Sequence, residues 1–255
     1  MNAHKPYFVQ LSDTHLFADA TQTLWGVSPD RELDRVVAAL LAMETPPAFA
    51  LVTGDCSGDG SETSYRRLAE KLRPLNAPVY YAPGNHDDPS LMAKLFSRRT
   101  LGAGEKLTQV MQSGGWRFVL LDSSVAGKDQ GTLGDDQLAW LRDTLAREPK
   151  AATMVVVHHN PLPIGSQWLD TMTISDAREL LEILDAAPQV HAVLYGHVHQ
   201  ECATKRGPTA YMSAPSTFFQ FKPGAASFCS DGLPPGARLV NLNGASFSTS
   251  ILRVS

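Results

Sequence analysis

The chain has 255 residues, of which 43% are hydrophobic and 19% charged, and a formal net charge of -4. These values describe a soluble globular protein with a substantial core, and they exclude disordered and fibrous classes. They also leave no basic stripe for sequence-independent nucleic-acid binding, so no nucleic-acid partner is expected.

Cysteine usage and the N-terminus set the compartment. Cys56, Cys202 and Cys229 are odd in number and lack CxxC spacing, which points to reduced thiols instead of a disulfide framework or a zinc ribbon. Residues 1–6 lead into a strand with no apolar leader, and no run of about eighteen apolar residues occurs. The expectation is a cytoplasmic protein without membrane contact, a single domain over 1–255, with no pattern that selects an oligomeric state.

Residues 7–11 read as a short strand that stops at Asp13-Thr14-His15, whose two ligand-type side chains share one side of an extended chain. Ser28-Pro29 then caps a helix carrying Leu33, Val36, Val37, Leu40 and Leu41 at helical spacing. Residues 48–53 form a second buried strand ending at Gly54-Asp55, which gives a βαβ opening. The glycine-rich loop that follows carries Asp59, and Ser61 caps a helix through Tyr65, Leu68, Ala69 and Leu72. A third strand, 79–82, is expected to be buried and delivers Pro83-Gly84-Asn85-His86-Asp87.

Asp88-Pro89 opens a short amphipathic segment, and from 98 to 115 the pattern weakens. Residues 117–121 are a strand, Leu138, Leu141 and Leu145 mark a helix, and 153–157 form a β-branched strand broken by His158-His159-Asn160-Pro161. Ser175 is expected to cap a helix through Leu180, Leu181 and Leu184, before strand 190–195 delivers Gly196-His197-Val198-His199. The β-type runs 209–213, 238–242 and 247–254 have no helix between them and are expected to form an antiparallel second sheet. Residues 215–236 form a long loop with Phe218, Phe219, Phe221 and Phe228, read as a pocket wall.

Five strand ends thus stop on metal-ligand residue types: Asp13 and His15, Asp55, Asn85, the pair His158-His159, and His197 with His199. Seven ligands exceed the needs of one ion, whereas two divalent ions about 3.5–4 Å apart with one bridging carboxylate use them all. Asp55 stands alone on its turn and is the natural bridge. Asp13, His15 and His199 complete one site; Asn85, a histidine of the 158–159 pair and His197 complete the other. Such mixed nitrogen and oxygen ligands suit Mn, Fe, Co or Zn better than Ca or Mg. With a bridging hydroxide, the centre keeps about one positive charge and attracts an anion such as phosphate. His86 is the candidate proton donor to the leaving alkoxide, with Asp87 or Asp59 to orient its ring.

Taken in order, these pieces resemble the calcineurin-like metallophosphoesterase superfamily, which reads DxH, GD, GNH(D/E), H and GHxH. The resemblance spans roughly 8–199. It implies an α/β fold of four layers, α-β-β-α, in which two packed mixed sheets are flanked by helices and the dinuclear site lies at the strands' carboxyl ends. It also selects His158 as the ligand and leaves His159 either as a support behind the ligands or as a substrate contact beside Asn85, His86 and His199. Cys56 departs mildly, at a position where an aliphatic residue is common. A narrower resemblance covers Asp13 to Phe17, His158 to Pro163, Ser166 to Asp170, Gly196 to Glu201, and Pro215 to Pro223. These stretches look like bacterial class III 3',5'-cyclic-AMP phosphodiesterases of the CpdA type. That implies hydrolysis of the small-molecule substrate cyclic AMP to 5'-AMP by a metal-bridging hydroxide, with His86 as general acid. Phe218, Phe219 and Trp168 are candidates to stack the base. The alternatives are a broad phosphodiesterase acting on glycerophosphodiesters or other small diesters, and a non-catalytic scaffold. The last would have lost ligands, and this chain keeps them all.

Overall fold

Short β-branched and aromatic runs alternate with amphipathic helices along most of the chain, and the central runs find partners on both faces. The computed structural model describes residues 7–254; residues 1–6, on which the reading of the N-terminus rested, lie outside the described residues. The strands in chain order are β1 (Tyr7–Leu11), β2 (Ala50–Thr53), β3 (Val79–Ala82), β4 (Gln109–Ser113), β5 (Trp116–Leu120), β6 (Thr153–Val156) and β7 (Val190–Tyr195). They continue with β8 (Ala203–Arg206), β9 (Thr209–Ser213), β10 (Gln220–Phe221), β11 (Ser230–Asp231), β12 (Gly236–Asn243) and β13 (Ser246–Arg253). The helices are α1 (Pro29–Leu41), α2 (Glu62–Leu72), α3 (Pro89–Met92), α4 (Asp135–Arg147) and α5 (Ala177–Asp185).

Two mixed sheets result, one ordered β13-β12-β1-β2-β3 and the other β4-β5-β6-β7-β9-β8, beside the small β10-β11 hairpin. Strand alternation separates three cores. Phe8 faces inward with Leu51, Phe118, Leu120, Met154, Val156, Leu194 and Val240, filling the space between the sheets. Val9 and Leu11 face outward from β1, against Leu33, Val36 and Leu40 of α1 and Leu68 and Leu72 of α2. On the other side, Val155 and Val157 meet Leu138, Leu141 and Leu145 of α4 and Leu180 and Leu184 of α5. Helix, sheet, sheet and helix are the four layers. Strands covered on both faces explain the near-continuous apolar runs in the sequence.

Four sequence expectations are corrected. The three C-terminal β runs do not make a sheet of their own: β9 joins the second sheet parallel to β7, while β12 and β13 extend the first sheet beside β1. β3 is an edge strand and only half-buried up to Ala82. β4, in the stretch where the pattern weakens, pairs with β5 across Gly114-Gly115, both at positive φ (59° and 80°). The N-cap of α5 is Asp176 and not Ser175, and its carboxylate is taken by the backbone N–H groups of Leu133 and Gly134. The caps at Ser28, Ser61 and Asp88 are as expected, each side chain accepting from a backbone N–H of its first helical turn.

Candidate metal centre

The carboxyl ends of β1, β2 and β3 in one sheet and of β6 and β7 in the other meet at one rim, where α/β sheets place their ligands. Cross-sheet hydrogen bonds hold that rim together. Gln10 Nε2 donates to Tyr195 O at 2.9 Å, and the His197 backbone N–H donates to Asp13 Oδ1 at 3.0 Å.

The local backbone bends sharply to aim the side chains inward. Asp13, His15, Asp55, His197 and His199 all sit at positive φ, between 44° and 67°. Non-glycine residues in this region are uncommon and carry strain, and clusters of them mark functional sites. Close approach also explains two glycines. A Cβ at Gly84 would overlap the Asp55 carboxylate, and one at Gly54, itself at φ +92°, would overlap the His158 ring.

Asp13, His15 and His199 bring one ligand atom each within 4.8 Å of one another, as do Asp13, Asp55 and His158. His15 Nε2 faces His199 Nε2 at 3.2 Å, with His199 Nε2 3.5 Å from Asp13 Oδ1. Asp55 lies between the two halves: its Oδ2 is 3.6 Å from His15 Nε2 and 3.4 Å from His158 Nε2, while its Oδ1 accepts the His86 backbone N–H. Asn85 Oδ1 lies 3.1 Å from His158 Nε2, joining the second half.

Tautomers follow from the outer partners. His158 Nδ1 donates to Thr53 O and His199 Nδ1 donates to Phe219 O, which turns each Nε2 lone pair toward the centre. Burial pushes the pKa of His15 down to about 4 and of His197 to about 3, so both rings are neutral donors. Burial also opposes charge on His158, but Asp55 and Asp13 outweigh it and lift its pKa to about 9. Burial lifts Asp13 to about 7. Asp55 is also pushed up by burial, yet the surrounding histidines, His158 first, hold it well below the carboxylate range.

A metal fits these residues. Among the described residues, Asp13 Oδ2 and His197 Nε2 are buried without any hydrogen-bond partner, although buried polar atoms are almost always paired. An acceptor-only carboxylate in one half and an imidazole lone pair in the other are donors a transition-metal cation takes.

Other predicted residues have different surroundings. His159 is fully buried with both ring nitrogens engaged: Nδ1 lies 2.7 Å from Ser123 Oγ and Nε2 is 3.0 Å from Asp129 O. It braces the 123–131 loop and does not line the pocket, so of its two expected roles these surroundings fit support from behind the ligands and not substrate contact. Asp87 accepts from the backbone N–H groups of Cys56, Ser57 and Gly84 and from Tyr65 Oη, fastening the Asn85-His86 turn to the Asp55 turn. Asp59 accepts from the Ala18 and Ser61 backbone and from Ser57 Oγ. Among the described residues neither carboxylate bonds to the His86 ring, so the orienting role is corrected for both; that ring packs edge-on against His15, with centroids 5.0 Å apart.

Above the centre lies a cavity of about 230 Å³ lined by His15, Asp55, Asn85, His86, His197 and His199. Its upper wall adds Trp25, Trp168, Phe221 and Phe228. Trp168 is where the sequence placed a base contact, but Phe218 and Phe219 are core residues, 1% and 7% exposed. Phe228 lies in the 215–236 stretch read as a pocket wall, whereas Trp25 was missed as a cavity-lining residue; its signal was a Trp-Gly turn inside a polar loop.

The calcineurin-like phosphoesterase family model matches residues 6–201. Among curated proteins, the chain is 39% identical over 235 residues to the 3',5'-cyclic adenosine monophosphate phosphodiesterase CpdA of Pseudomonas aeruginosa, covering 92% of this chain and 85% of that one. It is 36% identical over 255 residues to the CpdA protein of Haemophilus influenzae, covering 99% and 92%. Among solved structures, a dimetal phosphatase from Danio rerio superposes with a TM-score of 0.70 at 14% identity, covering 98% of this chain and 99% of that one, a likeness of fold. The strand-end ligand types that converge at the rim all fall inside the matched stretch, and the chain belongs to the calcineurin-like phosphoesterase family.

Proposed function

We propose that the chain hydrolyses 3',5'-cyclic AMP to 5'-AMP, with two metal ions held by Asp13, His15, Asp55, Asn85, His158, His197 and His199. The observation that carries this reading is the convergence of Asp13, His15, Asp55, His158 and His199, of which His15, Asp55 and His199 line an aromatic-walled cavity, with Asp13 Oδ2 buried and unpartnered among the described residues. The curated relatives named as cyclic-AMP phosphodiesterases supply the substrate. The ligands come from both sheets, so the chain works as one domain.

Bound there, two ions of Fe, Mn, Zn or Co supply Lewis acidity and a water-derived nucleophile near neutral pH. The protein's own residues do the rest. Asp55 joins the two halves, and its Oδ1 fixes the Asn85-His86 turn through the His86 N–H at 3.0 Å. His86 is exposed at the cavity edge, where its ring reaches the leaving 3' oxygen and gives it a proton. Asn85 and His199 line the cavity as well and contact the phosphate. Among the described residues no helix is long and apolar enough to cross a membrane. Three unpaired cysteines support a reducing, cytoplasmic setting.

The test is kcat/KM of the manganese-loaded protein for cyclic AMP against a glycerophosphodiester and bis-p-nitrophenyl phosphate. Preference for cyclic AMP supports the reading. Equal or better turnover of the glycerophosphodiester replaces it with the broad-phosphodiesterase reading.

A further inference from the structure

The upper wall of the cavity holds aromatic surface that the core does not account for. Among the described residues, Trp25 and Phe228 are the exposed large aromatics, 58% and 46% exposed, and both line this cavity. They come from loops far apart in sequence and pack with ring centroids 4.8 Å apart. Trp25 occupies a tight turn in which Leu24 and Val27 exchange both backbone hydrogen bonds, at 2.9 and 3.0 Å. Its φ is 50° and that of Gly26 is 78°, a turn with both central residues in the left-handed region. A bulky residue at positive φ is a conformational outlier. Here the strain secures no burial; it holds an indole out at the cavity mouth.

Trp168 adds an unpaired donor. It lines the same cavity and packs edge-on against Phe221 at 4.9 Å, and its Nε1 is buried without a hydrogen-bond partner among the described residues. The indole N–H can only donate, and a buried donor left unmade is costly. The nitrogen is closed to solvent as the ring stands, and a small turn of the indole would present it to an acceptor in the cavity.

We propose that Trp25, Phe228 and Trp168 form a purine subsite, in which the exposed faces of Trp25 and Phe228 stack on the base and Trp168 Nε1–H donates to a ring nitrogen. This deepens the reading above and rests on it, since a phosphate held at the metal centre places the base against this wall. Cleavage of a diester needs none of these contacts. The subsite therefore governs KM and recognition of the base, and leaves the chemical step alone.

The test measures binding by titration calorimetry on the manganese-loaded protein, with 5'-AMP and ribose 5-phosphate as probes. The unmodified chain binds 5'-AMP at least about tenfold more tightly, the order expected of one stacked base. Trp25→Ala and Trp168→Phe, the latter keeping the ring packing, each lose most of that preference. In both variants KM for cyclic AMP rises about tenfold, while turnover of methyl p-nitrophenyl phosphate is unchanged. Equal affinity for the two probes overturns the subsite, as does a variant that weakens both probes and the simple diester together. If the unmodified chain fails to hydrolyse cyclic AMP yet shows the Trp168-dependent preference for 5'-AMP, the subsite stands and the substrate reading fails.

Discussion

Asp55 Oδ2 and His158 Nε2 stand 3.4 Å apart, although one side chain leaves β2 of the first sheet and the other leaves β6 of the second. The centre therefore depends on how the two sheets pack as much as on either loop, and the same carboxylate oxygen is also 3.6 Å from His15 Nε2. Asp55→Ala removes the group shared by both halves. The expected outcome is loss of metal from both positions, read by elemental analysis, and a fall in turnover of more than about a thousandfold. Retention of one full equivalent would show that Asp55 serves a single ion.

In the proposed mechanism His86 serves as the proton donor and not as a metal ligand. His86→Ala is expected to keep its metal content and to lose about 10²- to 10⁴-fold in kcat on cyclic AMP, whose leaving alkoxide needs a proton. Turnover of bis-p-nitrophenyl phosphate, with a good leaving group, falls far less. Equal losses on both substrates would remove His86 from the proton-donor role.

Metal uptake carries a pH signature. Protonated His158 cannot ligate, and its pKa stands at about 9 because the neighbouring aspartates outweigh burial; burial holds Asp13 near 7. At pH 7 a chelator-treated chain must release protons to load metal, so affinity rises as pH climbs from 7 toward 9. Calorimetry in buffers of different ionisation enthalpy measures the protons released. A pH-independent affinity over that range would contradict the assignment.

The space between the sheets sets stability. Phe118 is fully buried there, edge-on to Phe8 and Phe49 at 5.2 and 5.1 Å. Phe118→Ala is expected to cost about 3–5 kcal/mol in urea unfolding. Because that core also sets the distance between Asp55 and His158, the variant is expected to bind metal more weakly even where it remains folded.

The sequence was most informative where chemistry and turn geometry coincide. Asp13, Asp55, Asn85, His158 and His199 could be read as one constellation because each follows an apolar run, and a strand ending on such residue types needs a polar partner. The fates of the C-terminal strands were not readable. β9 and β12 are both alternating runs of β type, and period alone cannot tell a strand that adds in parallel beside β7 from one that adds antiparallel beside β1. β4 escaped because Gln109, Gln112 and Ser113 are weak strand formers; the Gly114-Gly115 pair was the only local signal. Asp59 and Asp87 looked catalytic by position, yet both are engaged by backbone N–H groups, a use that spacing does not reveal. His159 differs from His158 only in pointing to the other side of the broken strand, toward Ser123.

The most direct measurement is chromatographic analysis of cyclic AMP incubated with chelator-treated protein, with and without added manganese or iron. The account predicts 5'-AMP as the product, formed only when metal is restored. Formation of 5'-AMP at the same rate by the chelator-treated protein, its metal content verified as nil, would contradict it, as would intact cyclic AMP in the fully loaded sample.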